Sequence, residues 1–198
     1  MLMGKLMDAT APKPRLPEIH EVTVDLEATE RDGRTVRFSD LRGKVVVCAY
    51  IYTVCPHGCA AVMEEMKKLN EALGQTGEFH QASISVVPER DTPEMLAAYA
   101  AALNVGENDP WWFVSGDQAP LWNFMTEGLG LQKAEPIPED ERVNPLDLYE
   151  HDLRVVLIDR KGMVRGYYSV FHPQQEIADL MREKLNKDAR QLVEDPDA

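Results

Sequence analysis

Two cysteines, Cys55 and Cys59, stand four positions apart in the segment Tyr52-Thr53-Val54-Cys55-Pro56-His57-Gly58-Cys59. Thiols with this spacing can close a disulfide or converge on one soft metal ion, a geometry that Cu(I) favours. A redox pair of the C-x-x-C kind has two intervening residues, whereas three stand here. Before the pair comes the most apolar run of the chain, Val45-Val46-Val47-Cys48-Ala49-Tyr50-Ile51, β-branched and aromatic without a period, as in a buried strand. After it, Ala60-Ala61-Val62-Met63-Glu64-Glu65-Met66-Lys67-Lys68-Leu69 reads as a helix. The thiols therefore fall where a central strand passes into a helix N-terminus. Free N–H groups and the helix dipole favour thiolates there.

A metal needs further ligands, and five histidines are available: His20, His57, His80, His151 and His172. His151 ends a long polar segment and precedes an apolar strand, so it could close over an ion bound to the thiols. His57, between the cysteines, could ligate or tune them; the expectation is an exposed ring that lowers thiol pKa values. Cys48, inside the strand, reads as a small buried hydrophobe. Met63 and Met66, at helical i,i+3 spacing, read as core. Asp91-Thr92-Pro93-Glu94 reads as helix-cap chemistry, and Trp111 and Trp112 as packing.

The elements that must hold these groups follow from pattern. Residues 20–26 alternate apolar and polar, as in a half-buried strand; Asp32-Gly33 marks a hairpin turn, with 35–38 as the returning strand. Ser39 caps a short turn that ends at Gly43. Beyond the central strand and a helix to residue 73, strands are predicted over 79–87, 111–115, 153–158 and 163–170. Helices are predicted over 93–103, 118–128 and 173–187. Residues 129–150, with Pro136, Pro138 and Pro145, form a loop long enough to suggest function. This order gives an α/β fold of thioredoxin-like type: a central mixed β-sheet flanked by helices, with an N-terminal β-hairpin. Residues 1–17 read as a leader, 18–188 as one domain and 189–198 as an acidic tail.

Composition narrows the classes. With 198 residues and 44% hydrophobic side chains the chain can build a proper core. Three cysteines are too few for a disulfide framework. A net charge of −13 argues against nucleic acid or anionic lipid as partner. No stretch approaches the roughly 18 apolar residues of a membrane span. The first seven residues are too short and too weakly apolar for a signal-peptide core. The expectation is a cytoplasmic protein, or one whose targeting segment is absent from this chain.

From about residue 18 to 187 the chain resembles the Sco (SenC/PrrC) family of copper chaperones for cytochrome c oxidase assembly. The resemblance rests on Ser39-Asp40-Leu41-Arg42-Gly43-Lys44, and on the likeness of Tyr52 to Cys59 to the family's Y-T-x-C-P-x-x-C. It rests also on the block Ile84-Ser85-Val86-Val87-Pro88-Glu89-Arg90-Asp91-Thr92-Pro93-Glu94, and on His151 placed eight residues before Asp159 in a D-x-x-G turn. It implies a thioredoxin fold in which Cys55, Cys59 and His151 bind one copper ion. It implies partners among copper proteins, such as the copper-bearing subunit of cytochrome c oxidase, and a thiol–disulfide reductant. It also implies residence in the periplasm or cell envelope, or in the mitochondrial intermembrane space, usually behind a membrane anchor. The chain departs from the pattern at Ala60, where the family has proline, and at Val87, where it usually has aspartate.

Beside the resemblance, two thiolates and one imidazole make a three-ligand site with an open position, whereas structural zinc is held by four ligands. An open site can pass its ion on by ligand exchange. The alternative is an enzyme, a thiol–disulfide oxidoreductase in which Cys55 attacks and Cys59 resolves, with no necessary role for His151.

Overall fold

The structure, a computed structural model, describes residues 15–196. Most of the expected leader, residues 1–14, lies outside the described residues. In chain order the elements are β1 (His20–Glu21), β2 (Glu27–Glu30), β3 (Thr35–Arg37), β4 (Val45–Ile51), α1 (Cys59–Leu73), β5 (Phe79–Ser85), α2 (Pro93–Ala102), β6 (Trp111–Ser115), α3 (Gln118–Asn123), β7 (Glu135–Pro136), β8 (Tyr149–Glu150), β9 (Val155–Ile158), β10 (Met163–Tyr168) and α4 (Gln175–Glu194).

Eight strands form one mixed sheet in the order β1-β10-β9-β4-β5-β6-β2-β3. The parallel ladder β4-β5-β6 lies at its centre, and β9 pairs antiparallel to β4 on the other side. All seven residues of β4 are buried, as its unbroken apolar run requires. Its side chains alternate between two cores. Val46, Cys48 and Tyr50 face one that contains Leu121, Phe124, Met125 and Leu129. Val45, Val47, Ala49 and Ile51 face the other, filled by Met63, Met66 and Leu69 of α1, Leu96 of α2, and Leu185 and Ala189 of α4. The helices therefore lie on both faces of a thioredoxin-like sheet. The cap of α2 is as read: Thr92 Oγ1 accepts from the Met95 amide at 3.4 Å, with Pro93 in the first turn.

Ser39 does not cap its turn, which begins at Phe38, but gives its hydroxyl to Asp25 Oδ2 at 2.7 Å, and three larger elements also differ from expectation. The alternation over 20–26 does not make one strand. Only β1 pairs, with β10, and the hairpin partner of β3 is β2. Val22 and Leu26 are 3% and 4% exposed and join the core on the α3 side while the chain crosses from one sheet edge to the other. Alternation records which side chains are covered, not whether the backbone finds a ladder. Second, α4 does not close at 187 but runs to Glu194. Ala189 and Leu192 are buried, and the Arg160 guanidinium donates to the carbonyls of Leu192, Val193 and Asp195. That cation satisfies the last helix carbonyls, so the first residues of the expected tail are helical. Third, α3 gives way after Asn123 to a wide π-helical turn over Phe124–Gly128. The segment after it is not structureless: β7 and β8 pair antiparallel, Glu135 with Glu150 and Pro136 with Tyr149. Among the described residues no helix is long and apolar enough to cross a membrane.

Candidate metal centre

The last residue of β4, Ile51, is followed by a tight turn in which the Cys55 amide donates to the Tyr52 carbonyl at 3.0 Å. Gly58 then caps α1 with its backbone, and Cys59 is the first helical residue. Glycine at 58 leaves room for two neighbouring side chains: a Cβ there would lie 2.4 Å from Cδ1 of Phe171 and 2.7 Å from Cδ1 of Leu153, and one of them would have to shift. Cys59 is 1% exposed, while Cys55 is half-buried.

His151 follows β8 directly. Its Nδ1 lies 3.1 Å from the Asp152 carbonyl, which accepts the ring proton there and leaves the Nε2 lone pair free. Nε2 is 3.2 Å from Cys59 Sγ and 3.8 Å from Cys55 Sγ. The three ligand atoms all lie within 4.8 Å of one another. For metal–sulfur and metal–nitrogen bonds of roughly 2.3 and 2.0 Å, an ion held at angles of about 90–120° sets S···N at roughly 3.0–3.7 Å. The donor set fits one soft ion with little movement. It is two sulfurs and an imidazole, the set that suits copper, with no fourth carboxylate, thiol or imidazole in the group.

The two thiols share one proton. The Cys55 thiol is pulled far below its ordinary range, chiefly because Cys59 donates to it; the amides of His57 and Cys59 add to this, and burial opposes it. Cys59 is pushed well up by the same hydrogen bond, by burial and by the negative charge on Cys55. Cys55 is thus a thiolate and Cys59 keeps the proton, which a bound ion would displace.

The surrounding shell is built from carboxylates. Asp152, 7% exposed, accepts from Arg154 Nη2 at 2.6 Å and from the Gln132 amide at 2.9 Å, fixing the backbone beside His151. Asp91, fully buried, accepts from Thr53 Oγ1 at 2.6 Å, from the Thr53 amide at 3.3 Å and from Ser85 Oγ at 2.8 Å. It ties the turn before Cys55 to the end of β5, a role beyond the cap chemistry read from its neighbours. Val87, where the family usually has aspartate, is 2% exposed and belongs to the core. Asp147, which no motif marked, also reaches the site, with its Oδ1 holding His57 Nε2 at 2.9 Å, and the hydroxyl of Tyr52, the first residue of the thiol motif, donates to the Leu146 carbonyl.

The structure thus brings Cys55, Cys59 and His151 together and leaves the other candidates out. The exposed ring of His57 turns away to Asp147; what touches the thiol is the His57 amide, 3.4 Å from Cys55 Sγ. The expected tuning of the thiol by His57 therefore comes from the backbone, not from the imidazole. His20 bonds the Gly128 carbonyl, His80 the Gln81 carbonyl, and His172 accepts from the Gln174 amide. Met63 and Met66 are fully buried, with the Ser83 hydroxyl at 3.4 Å from the Met63 sulfur. Cys48 is fully buried, and burial pushes its thiol up. A groove of about 410 Å³ opens beside His151, walled by Glu135, Ile137, Glu141, Val143, Glu150 and Phe171.

One curated relative is the SCO1 protein homolog of Bacillus subtilis (strain 168), 27% identical over 121 residues, which is 60% of this chain and 62% of the relative. The match thus spans less than two thirds of that protein's length. Three solved structures share the fold. A SCO1/SenC family lipoprotein from Bacillus anthracis is 23% identical with a TM-score of 0.71, covering 89% of this chain and 97% of that one. ScoI of Bradyrhizobium japonicum with copper bound is 23% identical with a TM-score of 0.62, over 80% and 96%. BsSco, described as a Sco family cytochrome c oxidase assembly protein with a disulfide switch, is 22% identical with a TM-score of 0.68, over 91% and 96%. The profile of the family described as SCO1/SenC matches residues 16–186, most of this sequence, and the chain belongs to that family.

Proposed function

We propose that this chain is a copper metallochaperone that binds one copper ion through Cys55, Cys59 and His151 and hands it to a copper protein, the copper-bearing subunit of cytochrome c oxidase being the partner the family resemblance implies. The observation that carries the reading is the meeting of two sulfurs and one free imidazole nitrogen within 4.8 Å. Copper here is cargo. The thiolate of Cys55 and the lone pair of His151 Nε2 are ready acceptors, and Cys59 gives up its proton as the ion arrives. Three ligands leave a position free, and His151 and the half-buried Cys55 border it, so a second protein can add a ligand before the first lets go. Loading needs the dithiol form, which brings in a thiol–disulfide reductant as a second partner. The lipoprotein description of the Bacillus anthracis relative supports association with the cell envelope for this chain too.

The asymmetry of the thiols, an accessible thiolate beside a buried thiol, also suits a thiol–disulfide oxidoreductase, and one experiment separates the two. Copper affinity is measured by chelator competition, and the Cys55–Cys59 reduction potential by redox titration, in the native chain and in His151→Ala. A carrier loses affinity by at least tenfold in the variant and keeps its potential. Unchanged affinity with collapsed thiol exchange overturns the carrier and leaves the oxidoreductase. A reduced native chain that comes off a desalting column free of copper overturns it as well.

A further inference from the structure

The two segments that bear the ligands come from distant parts of the chain. The thiols lie on the turn after β4, while His151 lies at the end of the loop between β7 and β9. Apart from the ligand atoms, two polar contacts join them, the Tyr52 hydroxyl to the Leu146 carbonyl and one pair of side chains. His57, between the cysteines, gives its Nε2–H to Oδ1 of Asp147 at 2.9 Å. Asp147 stands four residues before His151, with Leu148 and β8 between them. Its side chain is 2% exposed, against 44% for His57. A buried carboxylate needs its oxygens satisfied, and both are: Oδ2 accepts from the Val143 amide at 3.1 Å. The loop around it is closed by its own bonds, Asp147 N–H to Asn144 O at 3.0 Å and Leu146 N–H to Asn144 Oδ1 at 2.8 Å. The Tyr52 hydroxyl reaches the adjacent Leu146 carbonyl from the thiol side. The loop is thus a compact body, and His57 attaches it to the turn that carries the sulfurs.

We propose that Asp147 is a positioning residue for copper binding: through His57 it latches the His151-bearing segment onto the Cys55–Cys59 turn and so presents the third ligand. The inference rests on the copper-carrier reading. A ligand held in place before the ion arrives does not have to be ordered on binding, so the latch raises affinity without touching the metal. His57 then serves the site from outside the ligand set, with its ring aimed away from the thiols.

The test is a cycle of variants read by chelator competition for copper. His57→Ala removes the latch at a half-exposed side chain and leaves the fold in place. Asp147→Ala, which leaves no acceptor for the His57 ring, removes it from the other end. Each is expected to weaken copper binding about tenfold, and the double variant no more than either single one. His57→Gln, whose amide can still donate to Asp147, is expected to restore most of the loss. The deciding arm is the His151→Ala background: with the third ligand gone, breaking the latch is expected to change affinity less than twofold. A tenfold loss that persists there means the pair acts on the thiols or on the fold and overturns the proposal, as does native-like affinity in His57→Ala. A native chain that binds no copper overturns the carrier reading and this inference with it.

Discussion

Asp91 offers the sharpest test of how the thiol turn is held. Its carboxylate is fully buried and accepts three hydrogen bonds, two from Thr53 and one from Ser85. Burial raises its pKa above the usual 3.8, although the Thr53 and Ser85 hydroxyls oppose this. Asp91→Ala deletes the acceptor. The Thr53 amide cannot turn to a new partner, and its loss costs about 1–3 kcal/mol. The two hydroxyls can rotate but lose their strongest acceptor, and the space left behind adds to the cost. A total of about 3 kcal/mol is reasonable, and for a chain of this size that lowers Tm by about 6–12 °C. Asp91→Asn keeps the shape and the acceptor for Thr53, and it removes a buried charge, so its cost is expected to be within about 1 kcal/mol. The pH dependence has a definite sign. A carboxyl whose pKa is higher folded than unfolded takes up a proton first in the folded state, so it adds stability as pH falls and loses it as pH rises. The native chain is therefore expected to gain on Asp91→Asn between pH 7 and pH 4 in paired urea titrations. If the alanine and asparagine variants melt together, or if the native chain loses ground to Asp91→Asn on acidification, the hydrogen-bond account is refuted.

Two further outcomes follow from buried or crowded groups. Burial lowers the pKa of His80 to about 4 from its usual 6.5, helped by the nearby Arg34 and Lys44 charges. The unfolded chain then binds the extra proton first as pH falls below 6.5, so urea stability should drop by about 2 kcal/mol more between pH 7 and pH 4.5 in the native chain than in His80→Phe; equal drops would show that this ring is not the source. Gly58→Ala sets a methyl against Phe171 and Leu153, and should cost about 1–2 kcal/mol by displacing the half-exposed Phe171 ring. The cost should shrink in a Phe171→Ala background, and an unchanged cost would point to Leu153 as the neighbour that resists the methyl.

How much of this was legible in the sequence depended on whether the signal was local. The β4 run could only be a buried strand, and its two cores follow from the two-residue alternation of side chains. Thr92 and Pro93 announced α2 through capping chemistry confined to four residues. Misreadings occurred where a distant group decided. Residues 20–26 have the alternation of a strand, yet only His20–Glu21 find a ladder: β10 pairs with β1 on one side and β9 on the other, and β2 pairs with β6 and β3 at the far edge. The acidic end of α4 reads as a tail because its stabilising partner, Arg160, lies more than thirty residues earlier.

The site divides in the same way. The thiol pair is four residues long and visible as a motif, while the latch between His57 and Asp147 spans ninety residues and leaves no periodic trace. His151 lies between these cases, and sheet register explains why. In the antiparallel pairing of β4 with β9, Val46 faces Ile158, Val47 faces Leu157 and Cys48 faces Val156. Continued past the ends of both strands, that register sets residue 151 opposite residue 53, two positions short of Cys55. A histidine four residues before β9 is therefore carried to the thiols by the same ladder that builds the centre of the sheet, provided β9 is antiparallel to β4. The hairpin turn at Asp159-Arg160-Lys161-Gly162 joins β9 to β10 but does not fix which way β9 runs along β4. The direction comes from the fold as a whole, so the third ligand can be inferred from sequence only together with the fold.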